Sequence, residues 1–284
     1  MSIVTTQLNN RYYKDYLNTE VTFTKDIIRT LKMDPRQIYI KCAGSQWPCI
    51  INSTSFTTAK IILGTKGGAY EVLSKKDPPP LSVRFSFYQQ DGQLMSFFVS
   101  GKVYTIKEYA GSSDLVIVTV QYTQRPPEDL IGMLGHLLDA NVNYLKRRED
   151  RIPITAESLR KLGIPKKESI IYIQNVPRHC ILSDISFGGA KVILIGIEQY
   201  LINKTISLQL EFDEPHEVIT LTGIITSTEA VEGRKDILAA CIKFDDSSIT
   251  LSYKIHINNY LTTMRKAELN TTFADDLQQA AGAV

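Results

Sequence analysis

No apolar run approaches the roughly 20 residues that a helix needs to cross a bilayer. The longest candidate, Val192 to Ile197, is far too short. The first residues, Met1-Ser2-Ile3-Val4-Thr5-Thr6-Gln7, lack the basic start and apolar stretch of a secretory signal. A cytoplasmic location is the expectation from these absences, and the sequons at Asn52 and Asn203 then carry no glycan. The cysteines Cys42, Cys49, Cys180 and Cys241 form no Cys-x-x-Cys pair and no zinc spacing with histidine, so reduced thiols are expected and no metal or cofactor. His136, His179, His216 and His256 fall on different predicted elements. His179 and Cys180 are neighbours on a strand and face opposite sides, which argues against a catalytic dyad. Lys66-Gly67-Gly68 is too short for a phosphate loop. With no nucleophile–base pair in view, an enzyme is not expected. Excess charge is missing too. The formal net charge is only +2, so any anion site must come from local clustering.

What is present is enough apolar material, 43% of 284 residues, for two globular domains with a core in each. Residues 5–18 suit a short helix. From about Glu20 to Thr123 the pattern is strand after strand: Val21 to Phe23, Ile38 to Ile40, Pro48 to Asn52, Ala59 to Leu63, Leu81 to Tyr88, Leu94 to Ser100, Val103 to Tyr109 and Leu115 to Tyr122. Turn residues separate them, with Asp91-Gly92 a good hairpin signal. Arg125-Pro126-Pro127-Glu128-Asp129 starts a helix carrying Leu130, Leu134, Leu137, Leu138, Val142 and Leu145 on one side. It runs into Lys146-Arg147-Arg148.

The second half is again strands: Ile152 to Thr155, Ser169 to Gln174, His179 to Ser186, Ala190 to Ile195, Thr205 to Phe212, Val218 to Thr228 and Ile237 to Asp245. Ile257, Tyr260, Leu261 and Met264 then recur at helical spacing, with Arg265 and Lys266 at the helix end and a frayed tail from about Asn270. Many short strands at this spacing suggest a barrel or a sandwich; the expected fold is mostly β, two β-barrel-like domains, residues 1–143 and 144–284, joined by a helix and basic connector, with a C-terminal helix.

Two segments carry chemistry. Arg147 and Arg151 lie four apart, within about 13–14 Å of each other in an extended chain and on one face of a helix. Arginine offers a fork of donors to phosphate or to a guanine edge, and a flat face that stacks on a base. Taken alone, the pair reads more readily as a basic helix end. Asp184-Ile185-Ser186-Phe187-Gly188-Gly189 follows about thirty residues on. Asp184 and Ser186 are two apart on a predicted strand and are expected on one face, where a carboxylate accepts from guanine N1–H and N2–H2. Gly188 and Gly189 are expected to allow a tight turn with positive φ and a close backbone approach. Taken alone, this too is an ordinary strand-to-turn corner.

Together and in this order, the arginine pair and Asp184-x-Ser186-x-x-Gly189 resemble the signature of PilZ domains, which bind cyclic di-GMP. Residues 145–265 resemble a complete PilZ domain, a six-stranded antiparallel barrel with a C-terminal helix. The first half, with Trp47 to Thr54 and Thr123 to Pro127, resembles the domain preceding PilZ in spirochaete proteins of the PlzA type. The resemblance implies a receptor without cofactor in which Arg147 and Arg151 hold phosphates and stack on guanine. Asp184 and Ser186 would read guanine edges, and Gly188 and Gly189 would close the turn. Arg148 would reach phosphate or solvent. Lys146 occupies the place that in the family bears on whether one ligand or an intercalated pair binds. Capture of the ligand in the connector is expected to reorient the domains and signal to a downstream protein or nucleic acid. The alternatives are a single-stranded nucleic-acid-binding protein, built on the basic connector and abundant aromatics, and a PilZ adaptor that binds no ligand.

Overall fold

A computed structural model describes residues 3–264 apart from residues 90 and 214. The chain divides into two compact units, one up to Asp139 and one from Ala140. In the first, β1 (Val21–Thr22), β2 (Tyr39–Cys42), β3 (Ser45–Pro48), β4 (Ile50–Thr54), β5 (Thr58–Gly64), β6 (Leu81–Tyr88), β7 (Leu94–Tyr109) and β8 (Ser112–Tyr122) form one antiparallel sheet. Its order is β1-β4-β5-β8-β7-β6-β2-β3. The alternation that marks β6 in the sequence is the one that buries Leu81, Val83, Phe85 and Phe87, while Ser82 and Arg84 stay partly open. Helices α1 (Ile3–Asp15), α2 (Lys25–Thr30), α3 (Gly68–Leu73) and the first part of α4 (Glu128–Lys146) accompany the sheet. Tyr12 of α1 and Leu130, Ile131 and Leu134 of α4 enter its core. Each such fully buried aliphatic side chain contributes about 1.5–3 kcal/mol. Asp139 ties the two helices, accepting from Arg11 at 3.1 Å and from the Tyr16 hydroxyl at 3.0 Å.

Three expectations change here. The strands expected at Leu94–Ser100 and Val103–Tyr109 are one long strand, bent by a bulge between Val103 and Thr105. The strand expected from Pro48 is split at Cys49, because Trp47 and Pro48 belong to a hairpin that turns at Ala43 (φ 49°) and Gly44 (φ 82°). Between Leu63 and Leu81, where only turn residues were expected, lies α3, with Gly67 as its N-cap.

The second unit contains β9 (Ile152–Pro153), β10 (Glu168–Ile173), β11 (Val176–Ile185), β12 (Gly189–Ile195), β13 (Thr205–Asp213), β14 (His216–Val231) and β15 (Arg234–Phe244). The sheet order is β10-β13-β14-β15-β12-β11, and β10 also pairs with β11. That pairing closes a six-stranded antiparallel barrel, with β9 added alongside β11. Ile206, Leu208, Leu210 and Phe212 of β13 show the inward alternation. A short helix the sequence reading passed over, α5 (Ala156–Leu162), starts at a capping box between Thr155 and Ser158 and stops at Gly163 in the left-handed region (φ 72°). Residues 251–264 form α6, which buries Tyr253 and Ile257 completely. The end expected at Arg265 and Lys266, and the tail from Asn270, lie outside the described residues.

His256 pins α6 to the barrel. Its ring stacks on Phe212 at 3.9 Å and its Nε2 meets Glu217 at 2.9 Å, where the Ser252 hydroxyl also donates. Burial holds this imidazole below its ordinary value of 6.5, against the opposing pull of Glu217. The unfolded chain therefore takes up the proton more readily, and stability falls as pH drops through and below that value. Denaturant unfolding from about pH 7.5 to about pH 5.5 is expected to lose on the order of 1 kcal/mol. His256→Gln should lose most of that slope; a midpoint of the parent chain that does not move with pH would contradict the assignment.

Candidate functional site

Helix α4 ends at Lys146, and the chain turns rather than continuing as helix or strand. Arg147 N–H donates to the Asn143 carbonyl at 2.8 Å, and Asp150 N–H donates to the Arg147 carbonyl at 3.1 Å. The chain then enters β9, whose pairing sets Ile152 opposite Ile185 and Pro153 opposite Asp184. This register delivers Arg151 to Asp184, with 2.9 Å between Nη1 and Oδ1. Both side chains remain partly open, at 39% and 21%.

The turn after β11 is stitched to its surroundings by backbone. Ser186 N–H donates to the Gly189 carbonyl at 2.8 Å. Gly188 N–H donates to the Arg148 carbonyl at 3.0 Å, and the Gly188 carbonyl accepts from Phe244 N–H at 2.9 Å. One residue thus joins the connector, the turn and the end of β15. Beneath lies an aromatic floor. Phe187 is fully buried and meets Tyr144 edge-on at 5.9 Å, and the Tyr253 hydroxyl donates to the Ser186 carbonyl at 2.6 Å. Complete burial pushes the Tyr253 phenol well up, which keeps its proton available for that bond.

Two expectations are corrected. Neither Gly188 nor Gly189 has a positive φ. Glycine is required by space instead. A Cβ on Gly189 would stand 2.2 Å from the Ile242 carbonyl oxygen across the β12–β15 ladder, and one on Gly188 would stand 2.8 Å from Arg148 Cγ. Asp184 and Ser186 also do not share a face. A bulge after Leu182 turns Asp184 outward, the strand ends at Ile185, and the turn that follows leaves Ser186 completely buried. Its hydroxyl donates back to the Gly189 carbonyl at 3.3 Å.

The structure therefore brings Arg148, Arg151, Asp184, Ser186, Gly188 and Gly189 together. Arg147 is turned to Asp150 at 3.6 Å, and Lys146 is exposed. Arg148 lies over the Tyr144 ring at 5.4 Å, donates to its hydroxyl at 3.1 Å and pairs with Asp246. Arg148 holds the Asp246 carboxyl below the usual range. Burial raises the Tyr144 phenol, which donates to Asp246 at 3.3 Å. The sequence reading missed Tyr144 and Asp246. It also missed two lysines whose register is set by the ladders, Lys191 opposite Asp184 and Lys243 opposite Gly189. Their signal was the alternation of β12 and β15, where Val192 and Ile242 point inward.

Fixed guanidinium groups beside a carboxylate, on an open shelf, can hold phosphate and meet the donor–acceptor edge of a base. Among the described residues no group of histidine, cysteine or carboxylate side chains could hold a metal ion, and no helix is long and apolar enough to cross a membrane.

A closed six-stranded barrel with an arginine segment at its entrance, packed on an Asp-x-Ser-x-x-Gly turn, has the architecture of a PilZ domain. Comparison with known proteins agrees: residues 7–141 match the PilZN3 domain and residues 145–262 match the PilZ domain. A Treponema denticola protein described as a cyclic di-GMP binding protein is 44% identical over 278 residues, covering 97% of this chain and 88% of that protein. The chain belongs to this family of PilZN3–PilZ proteins. Among solved structures it is similar to Borreliella burgdorferi PlzA in complex with c-di-GMP, with 22% identity, 90% of this chain and 99% of that chain covered, and a TM-score of 0.40. Escherichia coli YcgR in complex with c-di-GMP is also similar, with 11% identity, 88% and 92% covered, and a TM-score of 0.30.

Because the obstacle to a side chain at Gly189 is backbone, it cannot rotate away. Gly189→Ala is expected to lower the stability of the second unit by about 1–3 kcal/mol, read by denaturant unfolding. Gly188→Ala meets only the flexible Arg148 side chain and should cost less. Equal effects would refute the steric account.

Proposed function

We propose that this chain is a cyclic di-GMP receptor and not an enzyme. The observation that supports it most is the Arg151–Asp184 pair on the shelf made by the connector and the Ser186–Gly189 turn. The two phosphates of the ligand bind Arg147 and Arg151, with Lys146 within the same run of positive charge. Asp184 accepts from the N1–H and N2–H2 of one guanine, and an arginine face stacks on the base. Gly188 and Gly189 serve by letting the turn pack against Arg148 and the end of β15, which sets the height of the shelf. Arg148, already engaged by Tyr144 and Asp246, serves by fixing the connector, and Ser186 serves by closing the turn. The relative from Treponema denticola supports the ligand, since it is described as a cyclic di-GMP binding protein.

Helix α4 crosses from the first unit into the second and ends where the arginines begin. Capture of the ligand by the outer arginines, Arg147 and Arg151, changes the arrangement of the two units and passes the signal to a downstream protein or nucleic acid. Small-angle scattering with and without ligand should differ; superimposable profiles at saturation would sink this part.

A second reading, single-stranded nucleic acid, is favoured by one surface of the first unit. Arg84 of β6 lies between Tyr39 at 4.9 Å and Phe98 at 5.9 Å, with Lys41 on the same face of the sheet. Bases stack on such surfaces.

Calorimetric titration separates these readings. Saturable binding of cyclic di-GMP is expected, weakened at least about tenfold in Arg151→Ala and in Asp184→Ala, each of which loses a charged partner of the ligand. No heat with cyclic di-GMP, together with salt-sensitive binding of a short RNA, would move the assignment to the nucleic-acid reading. Heat with neither would leave the ligand-free adaptor.

A further inference from the structure

The shelf does not stop at Asp184. Across the barrel exterior, Asp184 of β11 faces Lys191 of β12, Lys191 faces Cys241 of β15, and Cys241 faces Ser227 of β14. All four side chains point outward: Ile185, Val192, Ala240 and Ile242 beside them fill the core, and a bulge after Ile225 turns Ser227 out. One residue pair further along β14, Glu229 stands opposite Ala239. The Lys191 side chain reaches across β15 and donates to Glu229 at 2.7 Å. Its ammonium is held above its ordinary range, first by this bond, against the cost of burial, with Asp184 adding in smaller measure.

The exterior thus carries two acid–base pairs of the same kind, Arg151–Asp184 and Lys191–Glu229. With strands about 4.8 Å apart, the backbones of Asp184 and Glu229 lie roughly three strand spacings, or about 14 Å, apart across the sheet. On β15 and β14 the floor between them carries the small side chains of Cys241, Ala239 and Ser227, and the Lys191 side chain crosses it. Guanine presents an acceptor, O6, beside two donors, N1–H and N2–H2. A cation next to a carboxylate matches that edge. Adenine inverts it, setting an amino group against the cation and a lone pair against the carboxylate. Asp184 and Glu229 can each take the two donors of one guanine, so a ligand with two guanines fits both carboxylates and a ligand with one guanine fits only one.

Resting on the receptor reading above, we infer that Lys191 and Glu229 form the second guanine-reading subsite of the PilZ unit, so that both bases of cyclic di-GMP are recognised. In the free protein the two side chains satisfy each other. On binding, the ammonium turns to O6 and the carboxylate to N1–H and N2–H2.

The test compares cyclic di-GMP with the hybrid 3′,3′-cyclic GMP–AMP, in which one guanine is replaced by adenine. Affinities are measured by calorimetry on the full chain, on Glu229→Gln and on Lys191→Met. Both variants lie on the barrel exterior, and Glu157→Gln, at another exposed lysine–glutamate pair, is the control. The parent should prefer cyclic di-GMP over the hybrid by roughly tenfold or more, since one well-made pair discriminates by that order. That preference should shrink roughly tenfold in Glu229→Gln and in Lys191→Met and persist in Glu157→Gln. A preference unchanged in both variants, with binding intact, overturns the second subsite and leaves the receptor standing. A parent chain that binds neither dinucleotide overturns both.

Discussion

Everything about the site depends on where the backbone of Gly188 sits. Its N–H is spent on the carbonyl of Arg148 and its carbonyl on the N–H of Phe244, so one residue holds the connector, the turn and the last barrel strand together. Phe187, buried next to it, locks the turn into the core, and Tyr253 of α6 holds the turn from below through the Ser186 carbonyl. These groups are buried or backbone, so they are costly to displace. The side chains they present are neither. The arginines and Asp184 stay partly exposed, on a platform fixed before any ligand arrives. Preorganisation of this kind lowers the ordering cost that binding must meet.

Electrostatics reinforces the same division of labour. Each arginine of the segment has a carboxylate partner: Arg147 has Asp150, Arg148 has Asp246, and Arg151 has Asp184. Exposed pairs such as these are worth about 0–1 kcal/mol. Exchanging one carboxylate for a ligand phosphate therefore costs little. The Arg148 pair differs, because Tyr144 lies under the guanidinium and bonds to it as well. That arginine is the fixed one, and the outer two are the ones free to turn.

Much of this was legible in the chain. The alternation of β6 and β13, the helix start after Pro126-Pro127 and the strands of the second half came from periodicity and turn residues, and the six-stranded barrel from family resemblance. The arginine segment and the Asp-x-Ser-x-x-Gly stretch came from spacing and family resemblance, and they do meet in the fold. What sequence could not supply is register. A bulge after Leu182 turns Asp184 outward, and the turn that begins where β11 ends at Ile185 puts Ser186 in the core; no local residue announces either. The glycines were taken for conformational freedom when they are there for clearance from Ile242 and Arg148, which lie 53 and 40 residues away along the chain. Lys191 and Glu229 are 38 residues apart and meet only because of strand order. The helix α5 had a local signal, Thr155 three residues before Ser158 with Gly163 closing it, and it went unread for want of length.

The central claim is that the shelf exists before the ligand does. Amide hydrogen exchange at Gly188, followed by NMR on the ligand-free chain, tests it most directly. The account predicts slow exchange at Gly188, comparable with Phe244 and other barrel amides, with cyclic di-GMP slowing it further. Fast exchange at Gly188 in the free protein, beside protected neighbours in β12 and β15, would mean that the connector is not held against the turn and that the ligand must build the site itself.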